Sequence, residues 1–173
     1  MSVVRQAGFT LSELLVVLTV ATMVVAFAAM AAVPHLAKEA MRSTLHNGGT
    51  LVRAARIEAV KRDRACRFVV DLTARTMSVV DTNGTGTTSD DTVLRSTGLP
   101  SIVSVARPDT GSPITFTATG SVYHVEFDAD GHVSSGAGEM VLCSGERYGK
   151  VVVYTAGGVR YEKWNGSAWI VGS

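Results

Sequence analysis

Gly8-Phe9-Thr10-Leu11-Ser12-Glu13-Leu14-Leu15-Val16-Val17 opens the stretch that decides the fold, GFTLSELLVVLTVATMVVAFAAMAAVP, which runs from Gly8 to Pro34. From Leu14 to Val33 there are 20 residues without a charge, and only Thr19 and Thr22 are polar. At about 1.5 Å per residue such a helix is roughly 30 Å long, enough to cross the hydrocarbon core of a bilayer. Glu13 stands at the very start of it. Insertion scales charge about 2.5–3.5 kcal/mol for a centrally placed Asp and less near the headgroups, so a carboxylate here needs a partner and is a functional hypothesis by default.

On the N-terminal side, MSVVRQAG is too short for the charged, apolar and small-residue regions of a secretory signal. Arg5 without an acidic neighbour favours an N-terminus in the cytoplasm and a domain sent across the membrane. A plain signal anchor explains that topology but neither Glu13 nor the Gly-Phe-Thr-Leu boundary.

On the other side, HLAKEAMRSTLHNGGTLVRAARIEAVKRDRA is amphipathic. It offers Leu36, Ala40, Leu45, Leu51, Val52, Ala55, Ala59 and Val60 to a sheet. Gly48-Gly49 is expected to loosen or bend this helix, because each Gly costs about 1 kcal/mol against Ala. Past Arg64 short runs of Val, Thr, Tyr and Ile alternate with Gly, Asp, Asn and Pro, which reads as all-β. The expected strands are Cys66–Leu72, Thr76–Asp81, Val93–Arg95, Ile102–Ala106, Ile114–Ala118, Val122–Asp128, Met140–Cys143, Val151–Thr155 and Val159–Trp164. A turn is expected at Asp128-Ala129-Asp130-Gly131, and Asn165-Gly166 between Trp164 and Trp169 is a hairpin signal of the I′ kind.

The chain of 173 residues suits one membrane element plus one domain, and a net charge of +1 does not point to nucleic acid over the whole molecule. Cys66 and Cys143 show no metal-ligand spacing. If the domain lies outside the cytoplasm one disulfide between them is expected, the alternative being two separate buried thiols.

The segment Gly8 to Val17 closely resembles the processing site of type IV pilins and type II secretion pseudopilins. The resemblance implies cleavage by a prepilin peptidase between Gly8 and Phe9, N-methylation of Phe9, and pairing of Glu13 with the amino-terminal charge of a neighbouring subunit. Cleavage would create the partner that a carboxylate in apolar surroundings requires. Pro34 falls four residues later than the helix-kinking Pro usual in that family, and Thr22 stands where Gly is common. Leu51 to Arg62, followed by a strand from Cys66, is similar to a narrower branch, the minor pseudopilin H and fimbrial T family. There an Ala-Arg-x-Glu-Ala-x-Lys-Arg helix end leads into the first strand. The Phe127–His132 turn and Gly157-Gly158-Val159-Arg160 also resemble that branch.

Arg53, Arg56, Lys61, Arg62, Arg64 and Arg67 face only Glu58 and Asp63 in the local sequence. One reading is a phosphate-binding stripe for DNA, as in some fimbrial T-type pilins, with Arg160 as a further contact. The other, which the sequence favours, is a solvated helix face that pairs with acidic neighbours in the filament. No aromatic residue interleaves with these charges to stack on bases, and the Gly-Arg motif expected of DNA-binding members is broken by Val159. The loop from Asp81 to Asp91 matches a calcium loop only in part, because Thr85 and Thr92 occupy positions that want carboxylates or amides. His35, His46, His124 and His132 share no ligand spacing, and His124 with Glu126 reads as two polar groups on one solvent face. No nucleophile–base pair is legible, so neither an enzyme nor a cofactor is expected.

The fold expected is α+β: a leader at 1–8, a membrane and assembly helix at 9–34, its amphipathic continuation at 35–65, and a periplasmic antiparallel β-sandwich at 66–173, pilin-like as a whole. By resemblance the function is that of a minor pseudopilin of a type II secretion system. It would lie in the inner membrane and then in a periplasmic filament with other pseudopilins or pilins, the peptidase and the inner-membrane assembly platform being further partners. The alternatives are a minor type IV pilin and a signal-anchored periplasmic binding domain.

Overall fold

The computed structural model describes residues 10–85 and 88–172, with the side chains at 29–34 left aside. Helix α1 spans Leu11–Arg62, Pro34 and Gly48-Gly49 included. It ends on Asp63, whose φ of 52° lies in the left-handed region. The N–H of Arg64 donates to the Ala59 carbonyl (3.2 Å) and that of Asp63 to Val60 (3.4 Å), a Schellman closure. Lys61 and Arg62 sit in the last turn, where cations complement the helix dipole.

The chain divides into two compact units, residues 1–36 and 37–173. In the first, Leu11–Ala28 has a mean hydropathy of 2.3 and none of it is buried. Such a helix is apolar all round, which suits lipid or a bundle of like helices rather than one wet face. Thr19 and Thr22 turn their hydroxyls back to the carbonyls of Val16 and Thr19, both at 2.8 Å, so neither leaves a bare polar group.

Among the described residues of the second unit ten strands form two antiparallel sheets. The larger joins β1 (Cys66–Asp71), β2 (Thr76–Asp81), β3 (Thr92–Gly98), β4 (Thr117–Thr119), β5 (Val122–Phe127) and β6 (Val133–Ser135). Its order is β3-β2-β1-β5-β4, with β6 also on β5. The smaller comprises β7 (Gly138–Ser144), β8 (Arg147–Val153), β9 (Val159–Trp164) and β10 (Trp169–Val171), in the order β10-β9-β8-β7. Alternation along β1 sends Cys66, Phe68 and Val70 inward and Arg67, Val69 and Asp71 outward. These meet Val125 and Phe127 of β5, Met140 and Leu142 of β7, Val151 and Val153 of β8, and the buried stripe of α1 in one core.

That stripe is Met41, Leu45, Leu51, Val52, Ala55 and Ala59; Leu36 and Val60, expected to join it, are exposed. Gly48 and Gly49 do not break the helix. They bring it close to the sheets: a Cβ at Gly48 would lie 3.4 Å from Met140, and one at Gly49 would lie 2.1 Å from the Tyr161 hydroxyl. Gly149 does the same from the sheet side, where a Cβ would come within 2.4 Å of Leu45. At Gly49 the cost of glycine in a helix is offset by a close approach that a Cβ would obstruct, while at Gly48 a Cβ would make only an ordinary contact.

Several strand expectations change. Ile102–Ala106 is not a strand, because its backbone meets β7 only through a bridge at Ser104. Of Ile114–Ala118 only the end lies in a strand, β4, with Ile114 on an isolated bridge to Met140. Val151–Thr155 becomes β8, which starts at Arg147, and β6 was not foreseen. The β9–β10 connection is a four-residue loop closed by Asn165 Oδ1, which accepts the N–H groups of Ser167 (2.9 Å) and Ala168 (2.8 Å), rather than a two-residue I′ turn. The asparagine's side chain replaces the backbone turn that the Asn-Gly pair suggested. The turn at Asp128–Gly131 forms as expected, with the Gly131 N–H on the Asp128 carbonyl (2.8 Å).

Candidate functional site

Gly8 and Phe9 lie outside the described residues; the site begins at Thr10. The Thr10 hydroxyl accepts the N–H of Glu13 (3.3 Å), while Glu13 Oε2 accepts both the N–H and the hydroxyl of Thr10, each at 2.9 Å. This is a reciprocal capping box, which satisfies donors that the first helical turn would otherwise leave bare. Thr10 was missed as a functional residue, although Thr-x-x-Glu before an apolar run is its signature. Glu13 therefore has local partners in the single chain. The apolar side chains that follow, from Leu11 and Leu14 to Phe27, are exposed on every side of the helix.

At the other end of α1 the arginines are not lined up as one row. Asp81, 1% exposed, is shared by Arg62 (2.9 Å) and Arg64 (2.5 Å), and Arg62 also holds Glu58 (3.0 Å). Alternation along β2 puts Asp81 on the inward face with Met77 and Val79, opposite the buried Cys66 of β1, while a bulge in β3 at Leu94 shifts the β2–β3 register between Val79 and Val80. Burial pushes the Asp81 carboxyl up, but the Asn83 N–H and the two guanidinium groups outweigh it and hold the carboxyl below the ordinary range. Arg67 pairs with Glu126 (2.5 Å) and Asp91 (3.7 Å). Arg53 lies over the Tyr161 ring, 5.4 Å from its centre, and Arg160 pairs with Glu162 beside Tyr154. Arg56 is wedged against two turns. A Cβ at Gly131 or Gly157 would fall about 3.0 or 2.9 Å from its Nε. Among the described residues, Arg53, Arg62, Arg64, Arg67 and Arg160 of the residues considered for DNA contact thus hold an ion pair or a ring of the chain, and Arg56 and Lys61 do not.

A second ionic cluster, invisible in the sequence, covers the outer face of the smaller sheet. Lys150 Nζ bridges Glu139 (2.8 Å) and Glu162 (3.1 Å), and it sits 4.7 Å from the centre of the Trp169 ring. Arg107 ties Glu139 to Asp109, and the Trp169 indole N–H donates to Asp109 (3.0 Å). Burial raises the Glu139 carboxyl, yet Lys150 and Arg107 leave it below its usual value, while Asp109 is lowered to about 2 by Arg107 and Trp169. Strand register assembles the set, because Lys150 faces Glu162 directly across β8 and β9.

The cysteines are free thiols, not a disulfide. Cys66 points into the core between the sheets. Cys143 alternates with the core residues Met140 and Leu142, so its side chain is on the opposite face of its sheet, 2.9 Å from the Ser104 hydroxyl. A bridge would have to pass through the sheet. Burial pushes the Cys66 thiol up to about 11. His124 and Glu126 do share one face of β5, where burial and then Arg67 lower the imidazole. Among the described residues no group of three His, Cys, Asp or Glu could hold a metal ion.

The family described as type II transport protein GspH matches residues 49–158, and the prokaryotic N-terminal methylation motif matches residues 4–29. No curated protein matches the chain. Among solved structures, the type IV minor pilin FimU of Pseudomonas aeruginosa strain PAO1 is similar at 19% identity and a TM-score of 0.48, over 77% of this chain and 94% of that one. A second crystal form of FimU gives 18% identity and a TM-score of 0.47, over 75% and 96%. With a methylation motif heading its apolar helix and the GspH match extending from that helix through the β-domain, the chain belongs to the GspH family.

Proposed function

We propose that this chain is a minor pseudopilin of a type II secretion system. It is made with the leader Met1–Gly8, cut between Gly8 and Phe9 by a prepilin peptidase, and methylated on Phe9. The observation that carries the reading is one continuous helix, Leu11–Arg62, joining the methylation-motif match to the GspH match. Its uncharged run holds the subunit in the inner membrane with the domain on the periplasmic side, and the assembly platform then moves it into a filament of other pseudopilins. Apolar burial in lipid is exchanged there for similar burial against neighbouring helices, so the step asks for a specific neighbour at Glu13. While the subunit is in lipid, Thr10 occupies that carboxylate; in the filament a neighbour's amino terminus takes it over. The basic end of α1, paired as it is with Asp81, Glu58 and Glu126, supports a structural role for these arginines rather than DNA capture.

The test is a strain lacking this protein, with exoprotein content of the medium scored beside pilus-dependent DNA uptake. Loss of exoproteins with uptake intact is expected. Loss of uptake with normal secretion would replace this reading with that of a minor pilin.

A further inference from the structure

Within the second unit an open groove of about 860 Å³ lies between the start of its helix and the smaller sheet. Met41, Leu45, Tyr161 and Trp164 give it an apolar and aromatic lining, and Lys38, Arg42, Arg147 and Lys163 stand around it. Among the described residues none of these four cations holds an ion pair, whereas Arg62, Arg64, Arg67, Arg107, Lys150 and Arg160 all do. Of the carboxylates at the groove, Glu162 is already taken by Lys150 and Arg160, leaving Glu39 and Glu146 against four positive charges. The groove is a cationic place with an apolar floor.

Its place along the chain says what it meets. Lys38 follows Val33, the last residue of the uncharged run, by five residues, or about 8 Å of helix rise. A bilayer adds roughly 5–8 Å of headgroup layer on each side of its hydrocarbon core, so Lys38 falls at that level. Arg42 comes one turn later, still within about one Debye length of the surface. Tyr and Trp favour the same interfacial layer.

We infer that this groove binds the headgroup of an anionic phospholipid from the leaflet by which the helix leaves the membrane. The phosphate would lie among Lys38, Arg42, Arg147 and Lys163, with the glycerol end over Met41, Leu45 and Trp164. The inference rests on reading Leu14–Val33 as a membrane span. The subunit would then be held by two contacts, apolar helix and lipid headgroup, of which the second weakens with salt.

Of the two tryptophans of the chain, Trp164 lines this groove, while Trp169, 5.3 Å from it, lies over the ionic cluster of the outer face, so emission is read in W169F. Full-length protein in nanodiscs would receive traces of a lipid spin-labelled near its headgroup, either phosphatidylglycerol or phosphatidylcholine. Labelled phosphatidylglycerol is expected to quench tryptophan emission about twofold more than the zwitterionic lipid, and the excess to vanish in high salt. It should also vanish in K38Q/R42Q/R147Q/K163Q with circular dichroism unchanged. Equal quenching by the two lipids overturns the inference, as does a preference that survives the four substitutions. So does an equal emission change in zwitterionic discs on adding inorganic phosphate, an oligonucleotide or an acidic peptide, which would assign the groove to another anion. Protein that fails to float with the discs overturns the membrane span as well.

Discussion

Asp81 is buried and answers to two arginines, so its removal leaves two positive charges facing each other. Asp81→Asn is expected to destabilise the domain by on the order of 2–3 kcal/mol, read from urea unfolding at pH 7. Its carboxyl and that of Glu139 are both held below their ordinary values in the folded state. In the window between folded and unfolded values the unfolded chain binds more protons, so their contribution is present above about pH 4 and lost as pH falls further. Stability against pH should therefore drop below about pH 4, and less steeply in Asp81→Asn. Gly49 gives the opposite kind of residue-scale case, where nothing may be added. Gly49→Ala should cost on the order of 1–3 kcal/mol, and Tyr161→Ala in the same chain should recover part of it; additive losses would refute the clash. The sequence singled out Glu13 by its apolar surroundings and the basic tail of the helix by its charges. What Asp81 does was not legible, because an aspartate at the end of a strand reads as a turn residue, and only the β1–β2 register and the helix end bring Arg62 and Arg64 onto it.

At the scale of the element, α1 has two tasks under one period. Its first part is apolar all round and its second is striped, a difference plain in the sequence from Leu14 to Val60. Replacing Gly8 with a bulky residue should leave the leader attached, seen as a heavier intact mass, and keep the subunit out of filaments. Glu13→Ala should still insert and be cleaved but be recruited poorly; normal incorporation would end the pairing role proposed for Glu13. Most strands were readable from alternation of the kind seen in β1, and β2 and β9 fall at the expected residues. Val133–Ser135 was not readable, since two serines in three residues give no alternation and only the partner β5 makes them a strand. Gly48-Gly49 was misread for a related reason. Propensity scores a glycine by what the helix loses, while the gain at Gly49 lies on Tyr161, far along the chain.

For the whole molecule the sequence distinguished a membrane helix and a β-domain, and the two ionic clusters add what holds the domain's outer surfaces together. Because that work is done by packing and ion pairs, a reducing agent should leave the thermal midpoint of the domain unchanged, where loss of a bridge would lower it. The thiols were misjudged because compartment favours a bridge, and only geometry forbids this one. Their burial also has a practical consequence. Maleimide reagents need an accessible thiolate, and neither Cys66 nor Cys143 presents one on the surface. The wild-type chain is therefore already a silent background for site-directed chemistry. One cysteine placed on an exposed position of the helix or a loop would be the sole reactive handle, so the neighbours of this subunit could be mapped by cross-linking in living cells without first rebuilding its core.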